Sequence, residues 1–81
     1  MFINKNENGS LNICGAIISI LRKEQGLSQR EFADRLQLQG LDFTKNTIQR
    51  IESGKRFVTD IEIAALAKYF SISTDQLLKQ K

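Results

Sequence analysis

Histidine, proline and tryptophan are absent from this chain, and cysteine occurs once. Without histidine, the commonest general base near neutral pH and the commonest zinc ligand are both missing. A lone cysteine, Cys14, excludes an internal disulfide and a thiolate metal cluster. Nothing beside Cys14 would lower its pKa, so it reads as a small core residue and not as a redox sensor. An enzyme built on this chain would have to run on carboxylates, lysines or hydroxyls, and no such constellation is visible. The expectation is therefore no catalytic residue, no metal site and no cofactor. No apolar run approaches the ~20 residues of a membrane span. The first ten residues, with Asn4, Lys5, Asn6, Glu7, Asn8 and Gly9, lack the basic start and apolar stretch of a secretory signal. A flexible arm over 1–10, one domain over 11–81 and a cytoplasmic setting are expected. A chain of 81 residues forms only a marginal core, so local signals have to be clear.

The net charge of +3 is unevenly placed. Acidic and basic residues cancel over 1–21, over 22–43 and over 57–81. The whole excess falls in 44–56, where Lys45, Arg50, Lys55 and Arg56 face a single Glu52. Such a segment suits a polyanion, and on charge alone it equally suits a solvated face.

Helical periods dominate the rest. Capping boxes, in which Ser or Thr is followed three residues later by Glu or Gln, occur at Ser28/Glu31, Thr59/Glu62 and Ser73/Gln76. The spacing predicts five helices and no sheet, over about 12–25, 28–38, 44–53, 60–70 and 74–79. Candidate core residues are Cys14, Ile18 and Leu21 in the first helix and Phe32, Ala33 and Leu36 in the second. The third contributes Ile48 and Ile51; the fourth, Ile61, Ala64, Leu66, Ala67 and Phe70; the last, Leu77 and Leu78. Ile72 reads as a hydrophobic staple ahead of the last helix. Ile13, Ile17 and Ile20 form a second apolar face on the first helix. It is a candidate surface for a homodimer or a face covered within one chain.

Leu21-Arg22-Lys23-Glu24-Gln25-Gly26-Leu27-Ser28-Gln29-Arg30-Glu31-Phe32-Ala33, then Thr47-Ile48-Gln49-Arg50-Ile51-Glu52-Ser53-Gly54-Lys55-Arg56, then Ala64 to Leu78, resemble the Cro/cI (XRE) family. The resemblance covers 14–78. It implies an all-α, compact five-helix lambda-repressor-like domain whose helix-turn-helix puts its third helix into the DNA major groove. On that resemblance Thr44, Lys45, Asn46, Thr47 and Arg50 lie in the groove. Gln29 meets a phosphate at the start of the second helix, and Lys55 and Arg56 meet the backbone. Gln49 is outward on the same helix. Arg pairs with guanine and Asn or Gln with adenine through two hydrogen bonds each. The simpler readings are a surface ion pair for Arg50, helix capping for Thr44, Asn46 and Thr47, and an inert position for Gln29. The resemblance further implies a structural salt bridge between Arg22 and Glu52.

One departure stands out. The connection Gln39-Gly40-Leu41-Asp42-Phe43 is longer than the family's tight turn, and Leu41 and Phe43 are expected to fold back onto the core. The implied function is a sequence-specific duplex-DNA-binding transcriptional regulator, a repressor, not an enzyme. It would be bacterial or phage-encoded and nucleoid-associated, with a homodimer as candidate form, formed in solution or only on DNA. The competing function is a protein-binding module on the same fold, such as an antitoxin holding a protein partner.

Overall fold

Five helices follow one another along the chain: α1 (Gly15–Glu24), α2 (Gln29–Gln37), α3 (Lys45–Glu52), α4 (Asp60–Phe70) and α5 (Thr74–Leu77), with no strand among the described residues. The structure, a computed structural model, describes residues 9–79. Residues 1–8, most of the expected arm, and 80–81, the end of the expected domain, lie outside the described residues.

Local chemistry sets the helix starts. Ser28, Thr59 and Ser73 each accept a hydrogen bond from the backbone N–H three residues on, and Glu31, Glu62 and Gln76 reach back to the cap N–H. A fourth such box opens α3, between Thr44 and Thr47. Its hydroxyl at the third helical position replaces the Glu or Gln that the sequence rule looks for. α1 begins at Gly15, later than its apolar periodicity suggests, because residues 10–14 pack on the end of α3. The Leu11 N–H donates to the Gly54 carbonyl at 2.8 Å. Gly15 is required by that packing: an added Cβ would overlap the Ile51 carbonyl oxygen. α5 ends at Leu77, short of the expected 79, so Leu78 falls beyond the helix and is 37% exposed, not part of the core.

The core gathers Cys14 and Ile18 from α1 and its cap, Phe32, Ala33 and Leu36 from α2, and Ile48 and Ile51 from α3. Ile63, Leu66 and Ala67 from α4, Leu77 from α5, and Leu27, Leu41 and Phe43 from the connections complete it. Each large apolar side chain buried there contributes about 1.5–3 kcal/mol. Phe32 stacks at a tilt against Tyr69 and Phe70, with centroids 5.7 and 5.5 Å away. Two inward assignments in α4 are corrected. Ile61 is 76% exposed and Ala64 is exposed, while Ile63 takes the inward place. The helix is apolar nearly all round, so period alone does not choose its face; Ile63, Leu66, Ala67 and Phe70 share the one that packs.

The long connection is a fixed part of the fold. Leu41 and Phe43 are buried. Gly40 takes a φ of +87°, a left-handed conformation that costs a glycine little, and the Leu41 N–H then turns back to the Leu36 carbonyl at 3.1 Å. The Gln37 side chain donates to the Phe43 carbonyl at 2.8 Å.

Candidate nucleic-acid interface

α3 is amphipathic in a way that separates support from surface. Ile48 and Ile51 are buried beneath it, and Lys45, Asn46, Gln49 and Arg50 are exposed on the opposite side. These four recur at i, i+1, i+4 and i+5, so they share one face. α2 packs chiefly on α3 and holds it from behind. Lys45, Asn46 and Gln49 have no side-chain hydrogen bond or ion pair among the described residues. Among the described residues Arg50 makes only a long contact, Nη2 to the Lys55 carbonyl at 3.4 Å, and it is exposed.

Two of the candidate residues are engaged in the cap. The Thr47 N–H donates to Thr44 Oγ1 at 3.3 Å, the Thr44 N–H to Thr47 Oγ1 at 3.2 Å, and the two hydroxyls stand 3.1 Å apart. Thr44 is exposed and Thr47 half-buried.

The end of α3 is tied to the rest of the fold by charge. Arg22 donates from Nε and Nη2 to the two Glu52 carboxylate oxygens, at 2.7 and 3.1 Å, and from Nη1 to the Leu27 carbonyl at 2.6 Å. Side-chain exposure is 10% for Arg22 and 8% for Glu52. Gln29 Nε2 donates to Glu52 Oε1 at 3.0 Å, so one carboxylate gathers α1, the start of α2 and the end of α3. That bond takes up one of the two Gln29 Nε2 hydrogens and leaves the other as a donor at the α2 N-terminus.

Arg56 is bound within the fold. Its guanidinium pairs with both Glu62 oxygens at 3.0 and 3.1 Å, donates to the Phe57 carbonyl at 2.9 Å, and lies 5.2 Å from the centre of the Phe43 ring. The Arg56 hydrogen bond, ahead of the Thr59 N–H, holds the Glu62 carboxyl below its ordinary value. Charge order along the chain counts pairing only within the segment 44–56, and the family resemblance added the Arg22–Glu52 bridge that the structure contains. The structure pairs Glu52 with Arg22 and Arg56 with Glu62, both partners lying outside that segment. Among the described residues, Lys45, Arg50 and Lys55 remain as its unpaired cations, a positive surface on α3 and the loop after it.

The apolar face of α1 is discontinuous. Ile13 is 37% and Ile20 56% exposed, while Ile17 turns partly inward against the core. Sequence reasoning passed over a second exposed pair, Phe57 at 52% and Ile61 at 76%, because Phe57 lies in a loop and Ile61 read as core. It also missed Asn12, Gly15 and the Arg56–Glu62 link, whose partners are brought together only by the tertiary fold. Burial pushes the Cys14 thiol up to about 11, which leaves it protonated and unreactive near neutral pH. Among the described residues no group of three or more Cys, Asp or Glu is placed to hold a metal ion, and no helix is long and apolar enough to cross a membrane.

Comparison with known proteins agrees with this geometry. No curated protein matches the chain. The crystal structure of the DNA-binding domain of BldD is similar, with a TM-score of 0.69 and 26% sequence identity, over 84% of this chain and 92% of that one. A helix-turn-helix family model (HTH_3) matches residues 18–77, from the middle of α1 to the end of α5. With that match spanning all five helices and both elements of the motif, this chain belongs to the Cro/cI-type helix-turn-helix family of DNA-binding domains.

Proposed function

We propose that this protein is a sequence-specific transcriptional repressor that reads duplex DNA with the outer face of α3. The observation that carries the reading is the coincidence of the unpaired cations Lys45, Arg50 and Lys55 with the exposed amides of Asn46 and Gln49 on one surface. In this reading Lys45, Asn46, Gln49 and Arg50 address base edges, and Thr44 and Thr47 stand at the groove mainly as the cap that fixes the helix start. Lys55 contacts a phosphate, and Gln29, with the α2 N-terminus, contacts another. Arg56, neutralised by Glu62, acts by holding the loop. The protein works in the bacterial cytoplasm on the nucleoid. It binds as a pair of units on two half-sites about one helical turn apart. The candidate dimer surface built on Ile13, Ile17 and Ile20 is weakened by the inward turn of Ile17.

The test is binding to labelled duplex DNA spanning the region upstream of the protein's own gene, titrated at several salt concentrations. Wild-type binding should weaken as salt rises, with a slope of about −0.9 per phosphate contact. Arg50→Ala should cost about 1–3 kcal/mol on the preferred site and relax base preference there. Unchanged binding by both Lys45→Ala and Arg50→Ala would sink the assignment of α3 as the reader. The second reading, a protein-binding module such as an antitoxin, draws support from Phe57 and Ile61, two large apolar groups left exposed. Absence of any salt-dependent DNA binding would favour it. Sedimentation showing only monomer at high concentration would restrict dimers to DNA.

A further inference from the structure

Asn12 carries none of the roles above, yet its one carboxamide joins three parts of the fold. Its Oδ1 accepts from the Gly15 N–H at 2.9 Å, satisfying a free donor at the start of α1. Its Nδ2 donates to the Ile51 carbonyl at 3.0 Å and to the Arg56 carbonyl at 2.8 Å, reaching residues 39 and 44 positions further along. Ile51 lies in the last turn of α3, where its carbonyl also accepts from the Gly54 N–H at 3.1 Å. Arg56 lies in the loop behind it.

The loop between those two acceptors is the one that carries Lys55. It is held at Gly54, whose carbonyl accepts from the Leu11 N–H at 2.8 Å, and at Lys55, whose N–H reaches the Arg50 carbonyl at 2.8 Å. Asn12 supplies the main-chain anchor at Arg56, and Gly15 makes room for it by letting α1 come up against the Ile51 carbonyl. We propose that Asn12 is a positioning residue for DNA binding. It holds the loop after α3 against the helix end and so sets where the Lys55 ammonium meets the phosphate backbone. This rests on the reading of Lys55 as a phosphate contact. A lysine stem is long and free, so its contact depends on how well the loop beneath it is preorganised.

The test is a double-mutant cycle on a mixed-sequence duplex, read by fluorescence anisotropy across a salt series, at a temperature where circular dichroism shows each variant folded. Lys55→Ala should lower the salt slope by about 0.9, which near 0.1 M salt is an ~8-fold loss of affinity. Asn12→Ser keeps an oxygen near the Gly15 N–H and removes the amide donor. It should produce most of the same loss in slope, and the double variant should lose no more than Lys55→Ala alone. Asn12→Ser combined with Lys45→Ala should instead add its losses. Additive losses with Lys55→Ala, or an unchanged slope for Asn12→Ser, would overturn the positioning role and leave Lys55 as a contact. A Lys55→Ala variant that binds like wild type would overturn the contact and the positioning role together. Should Asn12→Ser not fold, Asn12→Thr also keeps an oxygen near the Gly15 N–H, removes the amide donor and adds no charge that would couple to Lys55.

Discussion

Replacing Arg22 with methionine should remove a large share of this protein's stability without removing any apolar packing volume. Arg22 is 8% exposed, and among the described residues its guanidinium supplies two of the three hydrogen bonds that the Glu52 carboxylate receives. In Arg22→Met the carboxylate stays buried with only Gln29 Nε2 at 3.0 Å beside it, and the Leu27 carbonyl loses its 2.6 Å donor. Breaking a buried pair from one side costs about 3–5 kcal/mol. A chain of this length has a total stability of roughly 4–12 kcal/mol at about 0.05–0.15 kcal/mol per residue. With a urea m-value of about 1 kcal/mol/M, expected for a small domain, the midpoint should fall by ~3 M or more. Equilibrium urea unfolding followed by circular dichroism measures it. The double variant Arg22→Met/Glu52→Leu should recover most of the loss, since no charge is then left buried. A shift below about 1 kcal/mol for the single variant would show that water screens the pair as it does on a surface. A double variant as unstable as the single one would refute the argument from an unpaired charge.

Gly15→Ala should destabilise by about 1–3 kcal/mol, because its Cβ meets the backbone carbonyl of Ile51 and no flexible side chain can give way; thermal unfolding reads it, and a change within ~0.5 kcal/mol would contradict the close approach. Ser71 closes α4 with a φ of 58°, so Ser71→Gly should raise stability by about 0.5–1 kcal/mol in the same assay. Acidification should weaken the fold through Glu62 and Glu31. The Arg56 hydrogen bond holds the first below its ordinary 4.5, and the Ser28 N–H does the same for the second. A lowered folded value means that the stabilisation is complete above the ordinary carboxylate range and is lost as pH falls through the folded value. Glu62→Gln should therefore lower the melting temperature near neutral pH and flatten its fall below pH 4.5; an unchanged acid profile would remove Glu62 from the account.

Much of this molecule was legible in the chain because its instructions are local. Three of the four capping boxes, the inward pairs Phe32/Leu36 and Ile48/Ile51, and the folding back of Leu41 and Phe43 follow from spacing and from the cost of exposing apolar groups. Places where two faces of a helix looked equally apolar were not legible. The face of α4 was misread at Ile61 and Ala64, and α1 showed a continuous isoleucine stripe that Ile17 interrupts. The start of α1 was misplaced for a related reason. Periodicity marks which side chains face inward, but Gly15 begins the helix where an incoming backbone carbonyl takes up the space.

The positive segment 44–56 was plain from the order of charges alone, and the same order named Lys45, Arg50 and Lys55 as cations. The resemblance also named the Arg22–Glu52 pair, while the fate of Arg56 and the cations left over were a tertiary matter. Glu52 is neutralised by Arg22 from thirty residues earlier, and Arg56 is drawn off by Glu62 and Phe43, so the surface cations are fewer than the segment contains. Covalent order determines where caps, apolar faces and net charge lie, because those depend on neighbours within a few residues. Only the packed chain decides who pairs with whom across the fold, because ion pairs and close backbone approaches depend on distances that sequence separation does not encode.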